Sequence, residues 1–85
     1  MNRVVVVGSP GTGKTTFARK LADKINLPVV HLDFYYHQKQ TNFENNEDAW
    51  VKKVHELIAA DNWIIDGNYN STLKQRFERA DTVIF

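Results

Sequence analysis

The feature that most constrains the fold of this chain is a glycine-rich segment, residues 8–15, which lies between a strand-like run and a helical stripe. Residues 3–7 form a β-branched and almost wholly apolar run, which is typical of a strand buried on both faces of a parallel sheet. The apolar positions of residues 14–25 recur at helical spacing. A buried strand, a glycine loop and a helix in this order predict the opening unit of an α/β fold.

The glycine-rich segment matches the P-loop (Walker A) pattern G-x-x-x-x-G-K-S/T at every position. Glycine lets successive backbone amides converge on phosphate oxygens without a Cβ in the way, and the helix that follows adds its unpaired N-terminal amides. An ordinary glycine-rich turn is the alternative, but the flanking strand and helix are those that the pattern requires. We therefore predict that the phosphates of ATP are bound by Gly8, Ser9, Pro10, Gly11, Thr12, Gly13, Lys14, Thr15 and Thr16.

Two side chains of this segment have predicted roles beyond that of the backbone. Lys14 carries a mobile positive charge that is expected to reach the β- and γ-phosphates and to act in catalysis. The hydroxyl of Thr15 is expected to ligate Mg²⁺. The predicted cofactors are therefore ATP and Mg²⁺.

The rest of the chain alternates between predicted strands and predicted helices. The strands are predicted at residues 29–32, 63–65 and 82–85, and further helices are predicted to start after Asn46 and near Leu73. Residues 33–45 hold several aromatic side chains without a clear period, so we predict a surface loop or a short irregular helix there. This alternation predicts right-handed crossovers and a parallel sheet with helices on both faces, which is a three-layer α/β sandwich.

Composition excludes several classes of protein. The 85 residues suffice for at most one domain, and a formal net charge of +1 offers no bulk basic surface for nucleic acid. The chain has no cysteine, which excludes a disulfide framework. Its longest apolar run, residues 4–7, is much too short for a membrane span or a signal peptide, so we expect a cytoplasmic protein without a membrane partner.

Two aspartates, Asp33 and Asp66, each follow a predicted strand. Both should lie at the carboxyl edge of the parallel sheet, where the ligands of open α/β sheets bind. We predict that both are catalytic: Asp66 would organise Mg²⁺ together with Thr15, and Asp33 would orient or deprotonate an acceptor hydroxyl. The alternative is that each is a turn or helix-cap residue, since aspartate is common at strand ends for that reason.

Other polar and aromatic side chains are predicted to serve the fold. His31 lies within a predicted strand, so a satisfied imidazole is favoured over a catalytic one. Arg76 and Arg79 are predicted to lie on a solvated, charged helix face. Most aromatic residues after the second strand are predicted to pack onto the sheet. Gly67 has two open interpretations, close backbone approach to a ligand or a plain turn.

Four blocks of the sequence carry a family resemblance. They are the glycine-rich segment at residues 8–15, which we call the phosphate loop, LPVVHLD at residues 27–33, WIIDGNY at residues 63–69 and ERADTVIF at residues 78–85. Together they resemble the bacterial DNA topology modulation proteins, which are adenylate-kinase-like P-loop kinases. The resemblance covers essentially the whole chain.

This resemblance implies a sheet in the order 2-3-1-4-5, in which Asp66 ends the strand beside the phosphate-loop strand and approaches Mg²⁺. It aligns Asp33 with the aspartate that contacts the acceptor in related small-molecule kinases. Adenylate kinases place a phosphate-gripping arginine after the equivalent Asp-Gly pair, where this chain has Asn68, Tyr69 and Asn70. The resemblance therefore argues against a nucleoside monophosphate as acceptor.

Members of that family continue through a fifth strand, an arginine-bearing lid and a base-binding loop. We therefore expect residues 1–85 to be the incomplete N-terminal part of a single P-loop kinase-like domain, with strand order 2-3-1-4 and no phosphoryl transfer of its own. The full protein is expected to be an ATP-dependent phosphotransferase, similar to a small-molecule kinase or a nucleotide kinase, whose acceptor is unidentified. Two alternatives stay open: a nucleotide-binding regulatory module without phosphotransfer, and a structural piece that folds as a homodimer through an exposed strand edge.

Overall fold

The computed structural model of the chain describes residues 1–8 and 13–85. Its strands and helices, in chain order, are β1 (Arg3–Val6), α1 (Lys14–Ile25), β2 (Val29–His31), α2 (Leu32–Tyr36), α3 (Glu47–Ile58), β3 (Trp63–Asp66), α4 (Leu73–Arg79) and β4 (Thr82–Ile84). Short 3₁₀ turns at Phe43–Asn45 and Asn70–Thr72 precede α3 and α4.

The four strands form one parallel sheet in the order β2-β3-β1-β4. In its register Asp66 lies opposite Val6 on one side and opposite His31 on the other. The strands therefore end together, and the residues that follow them meet at one edge of the sheet. The predicted α/β fold and strand order are confirmed.

The side chains of β1 alternate between two hydrophobic clusters, one on each face of the sheet. Val5 packs with residues of α3, whereas Val4 and Val6 pack with residues of α1. This explains the unbroken apolar run at the start of the sequence, because a strand covered on both faces has no solvent side. The predicted three-layer arrangement is confirmed.

Leu32 begins a helix instead of ending the second strand as predicted, and the irregular segment after it contains α2 and a 3₁₀ turn. Phe43 and the half-buried Tyr35 and Tyr36 pack against the core, as predicted for most of these aromatics. Phe34 is the exception, with 66% of its surface exposed.

No helix in residues 1–8 and 13–85 is both long and apolar enough to cross a lipid bilayer.

Candidate functional site

The two long helices, α1 and α3, begin differently, and the difference marks a candidate anion site. The amide of Ala49 in α3 donates a 3.1 Å hydrogen bond to the Asn46 side chain, and two acidic residues follow in the first turn. In α1 the capping residue is Gly13, which has no side chain, and the first turn contains no acid. Gly13 adopts a left-handed conformation, with φ of 81°, that suits glycine. This arrangement is expected where the anionic group of a ligand completes the helix terminus.

A cavity of about 430 Å³ opens beside the start of α1, at the carboxyl ends of β1 and β4. It is lined by Val6, Val7, Gly8, Gly13, Lys14, Phe17, Ile84 and Phe85. Phe17 was predicted within the apolar stripe of α1, but it is 45% exposed. Its position in the cavity wall means that part of the helical stripe faces a potential ligand space instead of the core.

The predicted phosphate-binding residues fall into two groups. Gly8, Gly13 and Lys14 line this cavity, and Thr15 and Thr16 are exposed on the first turn of α1. The other four lie outside the residues that the structure describes; they are Ser9, Pro10, Gly11 and Thr12.

Asp66 ends β3 as a nearly buried carboxylate, with 3% of its surface exposed. The Nδ1 of His31 forms a hydrogen bond with Asp66 Oδ2. Because a carboxylate only accepts hydrogen bonds, the imidazole nitrogen donates. His31 is therefore satisfied within the fold, as predicted, and it fixes the orientation of a carboxylate at the sheet edge.

Asp33 is exposed in the first turn of α2, and its Oδ1 accepts a 2.5 Å hydrogen bond from the hydroxyl of Tyr69. Burial first, and the hydrogen bond to Asp33 second, raise the pKa of Tyr69 well above its usual range. The Tyr69 ring packs against Tyr36 and Trp50, with centroids 4.7 and 5.1 Å away. Tyr69 is thus a protonated donor held in place by its neighbours, a role that the sequence analysis missed.

Arg76 contradicts the prediction of a solvated helix face, because it is completely buried. Its guanidinium donates to three successive carbonyl oxygens: those of Gly67 at 2.7 Å, Asn68 at 2.6 Å and Tyr69 at 2.9 Å. Its Nε donates to the hydroxyl of Thr72 at 3.1 Å. Burial lowers the pKa of Arg76 to about 10, which still leaves it charged at neutral pH. The physical reason for its burial is that the loop after β3 presents carbonyls that need donors.

Arg79 also departs from that prediction, since it is half-buried against the end of α3. It donates from Nε to the carbonyl of Ile58 at 3.0 Å and from Nη2 to that of Ala60 at 3.1 Å. A cation at this position satisfies terminal carbonyls and favours the negative end of the helix dipole. Its role is structural.

Asn68 contacts Gly8, the first residue of the phosphate loop, through both ends of its side-chain amide. Its Nδ2 donates to the carbonyl of Gly8 at 2.8 Å, and its Oδ1 accepts from the amide of Gly8 at 3.2 Å. From the sequence alone, Asn68 was predicted only to replace an arginine. The available signal was its position directly after the strand end Asp66-Gly67, beside the phosphate-loop strand.

Gly67 makes a close approach to a side chain of the protein itself. It has φ of 135°, and a Cβ placed there would lie 2.9 Å from the Cβ of Leu32. Of the two interpretations left open, the structure favours a turn glycine required by internal packing.

Comparison with known proteins identifies proteins that are similar to this chain. The model of the AAA domain family matches residues 3–85. An adenylate kinase of Thermosipho africanus is 27% identical over 78 residues, which cover 92% of this chain and 35% of that protein. A shikimate kinase of Corynebacterium diphtheriae is 51% identical over 37 residues, which cover 44% of this chain and 21% of that protein.

A solved structure shares the fold. The crystal structure of shikimate kinase from Bacteroides thetaiotaomicron superposes with a TM-score of 0.75 and 24% identity, covering 99% of this chain and 56% of that one. The chain thus spans about a third of the adenylate kinase and about a fifth of the curated shikimate kinase. Since the family match runs over nearly its whole length, the chain belongs to the AAA domain family and has the P-loop fold seen in shikimate kinase.

Proposed function

We propose that this chain binds Mg-ATP and that the protein to which it belongs is a phosphotransferase acting on a small molecule. The observation that carries the proposal is the start of α1, where a glycine cap and an acid-free first turn border a cavity lined by Lys14. Asp66 ends β3 and Asp33 lies two residues after β2, so both aspartates lie at the same edge of the sheet. A phosphate site and two carboxylates at one edge of the sheet are the groups that phosphoryl transfer needs.

The described residues fit a nucleotide phosphate group. Gly8 and Gly13 line the cavity, no described atom lies within 4 Å of a Cβ built on Gly13, and Lys14 lines the cavity as the cation that would contact phosphate oxygens. The cavity volume of about 430 Å³ falls within the range of small-molecule sites. When bound, ATP would supply the transferable phosphoryl group. The similarity to adenylate and shikimate kinases supports this choice of ligand.

The proposed magnesium site consists of Thr15 and Asp66. Within the described part of the chain, no three acidic or histidine side chains are grouped so as to hold a metal by themselves. Magnesium bound with a nucleotide does not need such a cage, because one or two protein ligands complete a shell made mostly of water and phosphate oxygens. The contact with His31 would keep the Asp66 carboxylate oriented, as partners of metal ligands commonly do.

Asp33 is proposed to orient the acceptor hydroxyl or to take its proton. It is exposed, and Tyr69 fixes its carboxylate from the side of β3. Arg76 is buried and fully engaged with carbonyls, so it is not placed to grip an acceptor phosphate. Both points support a small hydroxyl compound over a nucleoside monophosphate. Within the kinase-like proteins, the four sequence blocks support a place among the DNA topology modulation proteins.

Isothermal titration of the chain with Mg-ATP tests the binding proposal. We expect Lys14→Ala to weaken binding at least tenfold, while Lys20→Ala, a change of an exposed lysine on the same helix, leaves the affinity unchanged. Equal affinity of the Lys14 variant and the wild type would overturn the proposal.

Turnover separates a kinase from a nucleotide-binding regulatory module. In the complete protein, Asp33→Asn should abolish acceptor-dependent release of ADP while Mg-ATP binding is retained. A regulatory module would show no acceptor-dependent release in the wild type either, across nucleosides, nucleotides and small polyols.

A further inference from the structure

We propose that Asn68 is a positioning residue that holds Gly8, the first residue of the phosphate loop, in its binding geometry, and that Arg76 acts through it. The inference rests on the proposed nucleotide site and adds to it a control over the position of Gly8. Neither residue is assigned contact with the ligand.

The backbone pairing between β1 and β3 ends just before Gly8. The amide of Gly67 donates to the carbonyl of Val6 at 3.3 Å, and β1 and β3 end at Val6 and Asp66. The Asn68 side chain continues the pairing one step further, because its amide bonds both backbone groups of Gly8. On the other side of β1, the amide of Val7 donates to the carbonyl of Ile84 at 2.9 Å. The entry to the phosphate loop is therefore held from both neighbouring strands.

The chemistry of this contact requires a carboxamide. Asparagine both donates and accepts, so it matches the carbonyl and the amide of Gly8 together. Aspartate has nearly the same shape but no donor, and it would face the Gly8 carbonyl with a negative charge. It would also add an anion beside a site proposed to bind phosphate. Substitution by aspartate therefore tests the effect of the lost donor and the added charge while the volume of the side chain stays nearly the same.

Arg76 holds the main chain of Asn68 in the position from which its side chain reaches Gly8. The guanidinium donates to the carbonyls on both sides of Asn68 as well as to that of Asn68 itself. No carboxylate forms an ion pair with Arg76 in the described ranges. The positive charge of Arg76 is therefore stabilised by hydrogen bonds to the three carbonyls and the Thr72 hydroxyl. A planar group with five donors can serve four acceptors at once, which the ammonium of lysine cannot. The loop after β3 is thus a fixed support for the phosphate loop.

The experiment measures the affinity of the chain for magnesium adenylyl imidodiphosphate, a non-hydrolysable ATP analogue, by calorimetry. Loss of two hydrogen bonds in Asn68→Ala should weaken binding about tenfold or more, and Asn68→Asp should weaken it further. Asn70→Ala, at an exposed asparagine two residues on, is the matched control and should change the affinity less than about twofold. An unchanged affinity in Asn68→Ala, under conditions where Lys14→Ala weakens binding at least tenfold, would overturn the positioning role alone.

A second measurement keeps the test independent of how well the variants fold. In the wild type, the Gly8 amide should exchange slowly with solvent because Asn68 accepts its hydrogen bond. Asn68→Ala should lose that protection while amides of β3 keep theirs, a local signature that general destabilisation would not give. Arg76→Lys should weaken binding in the wild type. In the Asn68→Ala background it should weaken binding by a smaller factor, because both residues act through the same contact. Fast exchange of Gly8 in the wild type would refute the contact itself, and failure of the wild type to bind the analogue would refute the proposed function instead.

Discussion

The hydroxyl of Tyr69 donates a 2.5 Å hydrogen bond to Asp33 Oδ1, which links the loop after β3 to the helix after β2. The reverse link is made by His31, at the end of β2, with Asp66, at the end of β3. Each candidate catalytic carboxylate therefore bonds a ring from the neighbouring segment: Asp66 bonds His31 of β2, and Asp33 bonds Tyr69 of the loop after β3. The relative position of Asp33 and Asp66 therefore depends on contacts between the two segments at this edge of the sheet.

The first prediction concerns the pH dependence of stability. The pKa of Tyr69 is raised in the folded state, so its neutral form is the one that the fold favours. The resulting stabilisation is fully present below the unfolded pKa of about 10 and is lost as pH rises toward the folded value. Tyr69→Phe removes the titrating hydroxyl and with it this pH-dependent stabilisation. The difference in free energy of unfolding between the wild type and Tyr69→Phe, from urea titrations, should be constant from pH 7 to pH 9 and should decrease above about pH 10. A difference that stays constant up to pH 11 would contradict the assignment.

The second prediction concerns the buried guanidinium. Arg76→Met keeps much of the side-chain volume but leaves three carbonyls without their donor, so it should lower the free energy of unfolding by about 3 kcal/mol. Arg19→Met, at an exposed arginine of α1, is the control and should change it by less than about 0.5 kcal/mol. Urea denaturation followed by circular dichroism measures both. Similar small losses in the two variants would show that the carbonyls find other donors.

The third prediction compares two glycines with positive φ. Gly67→Ala would bring a Cβ to 2.9 Å from Leu32 and should cost about 2 kcal/mol or more, because the clash adds to the unfavourable φ. At Gly13 no described atom lies within 4 Å of the added Cβ, so Gly13→Ala should cost only about 1 kcal/mol. Thermal unfolding of the two variants ranks the costs. The opposite ranking would mean that Leu32 moves away at little cost.

The fourth prediction tests the pairing of His31 with Asp66. Removing either partner leaves a polar group with a lost hydrogen bond, whereas removing both leaves fewer unsatisfied atoms. A double-mutant cycle with His31→Ala and Asp66→Ala should therefore show a coupling free energy of about 1–2 kcal/mol. Urea titrations of the four proteins at pH 7 give this value. Additivity within about 0.3 kcal/mol would place the two groups out of contact.

Much of the fold could be predicted from local pattern, because hydrophobic period reports which faces of a strand or helix are covered. The bounds of α1 and the capping of α3 by Asn46 agree with those predictions. The prediction was wrong for α4, where Arg76, predicted on a solvated face, is fully buried and the apolar Phe77 is 37% exposed. The orientation of a short helix beside a loop with unpaired carbonyls depends on the hydrogen bonds that those carbonyls require. The spacing of apolar residues along the sequence gives no information about such bonds.

The sequence by itself determined the alternation of strands and helices, the phosphate-loop pattern and the placement of two aspartates after strands, since each depends on neighbours along the chain. The strand order came from the family resemblance and not from spacing. Only the tertiary structure decided the partners of the site: Asn68 with Gly8, Tyr69 with Asp33 and Arg76 with three carbonyls. Those contacts depend on which ends of distant segments the parallel sheet brings together, and on which of their polar groups burial leaves in need of a partner.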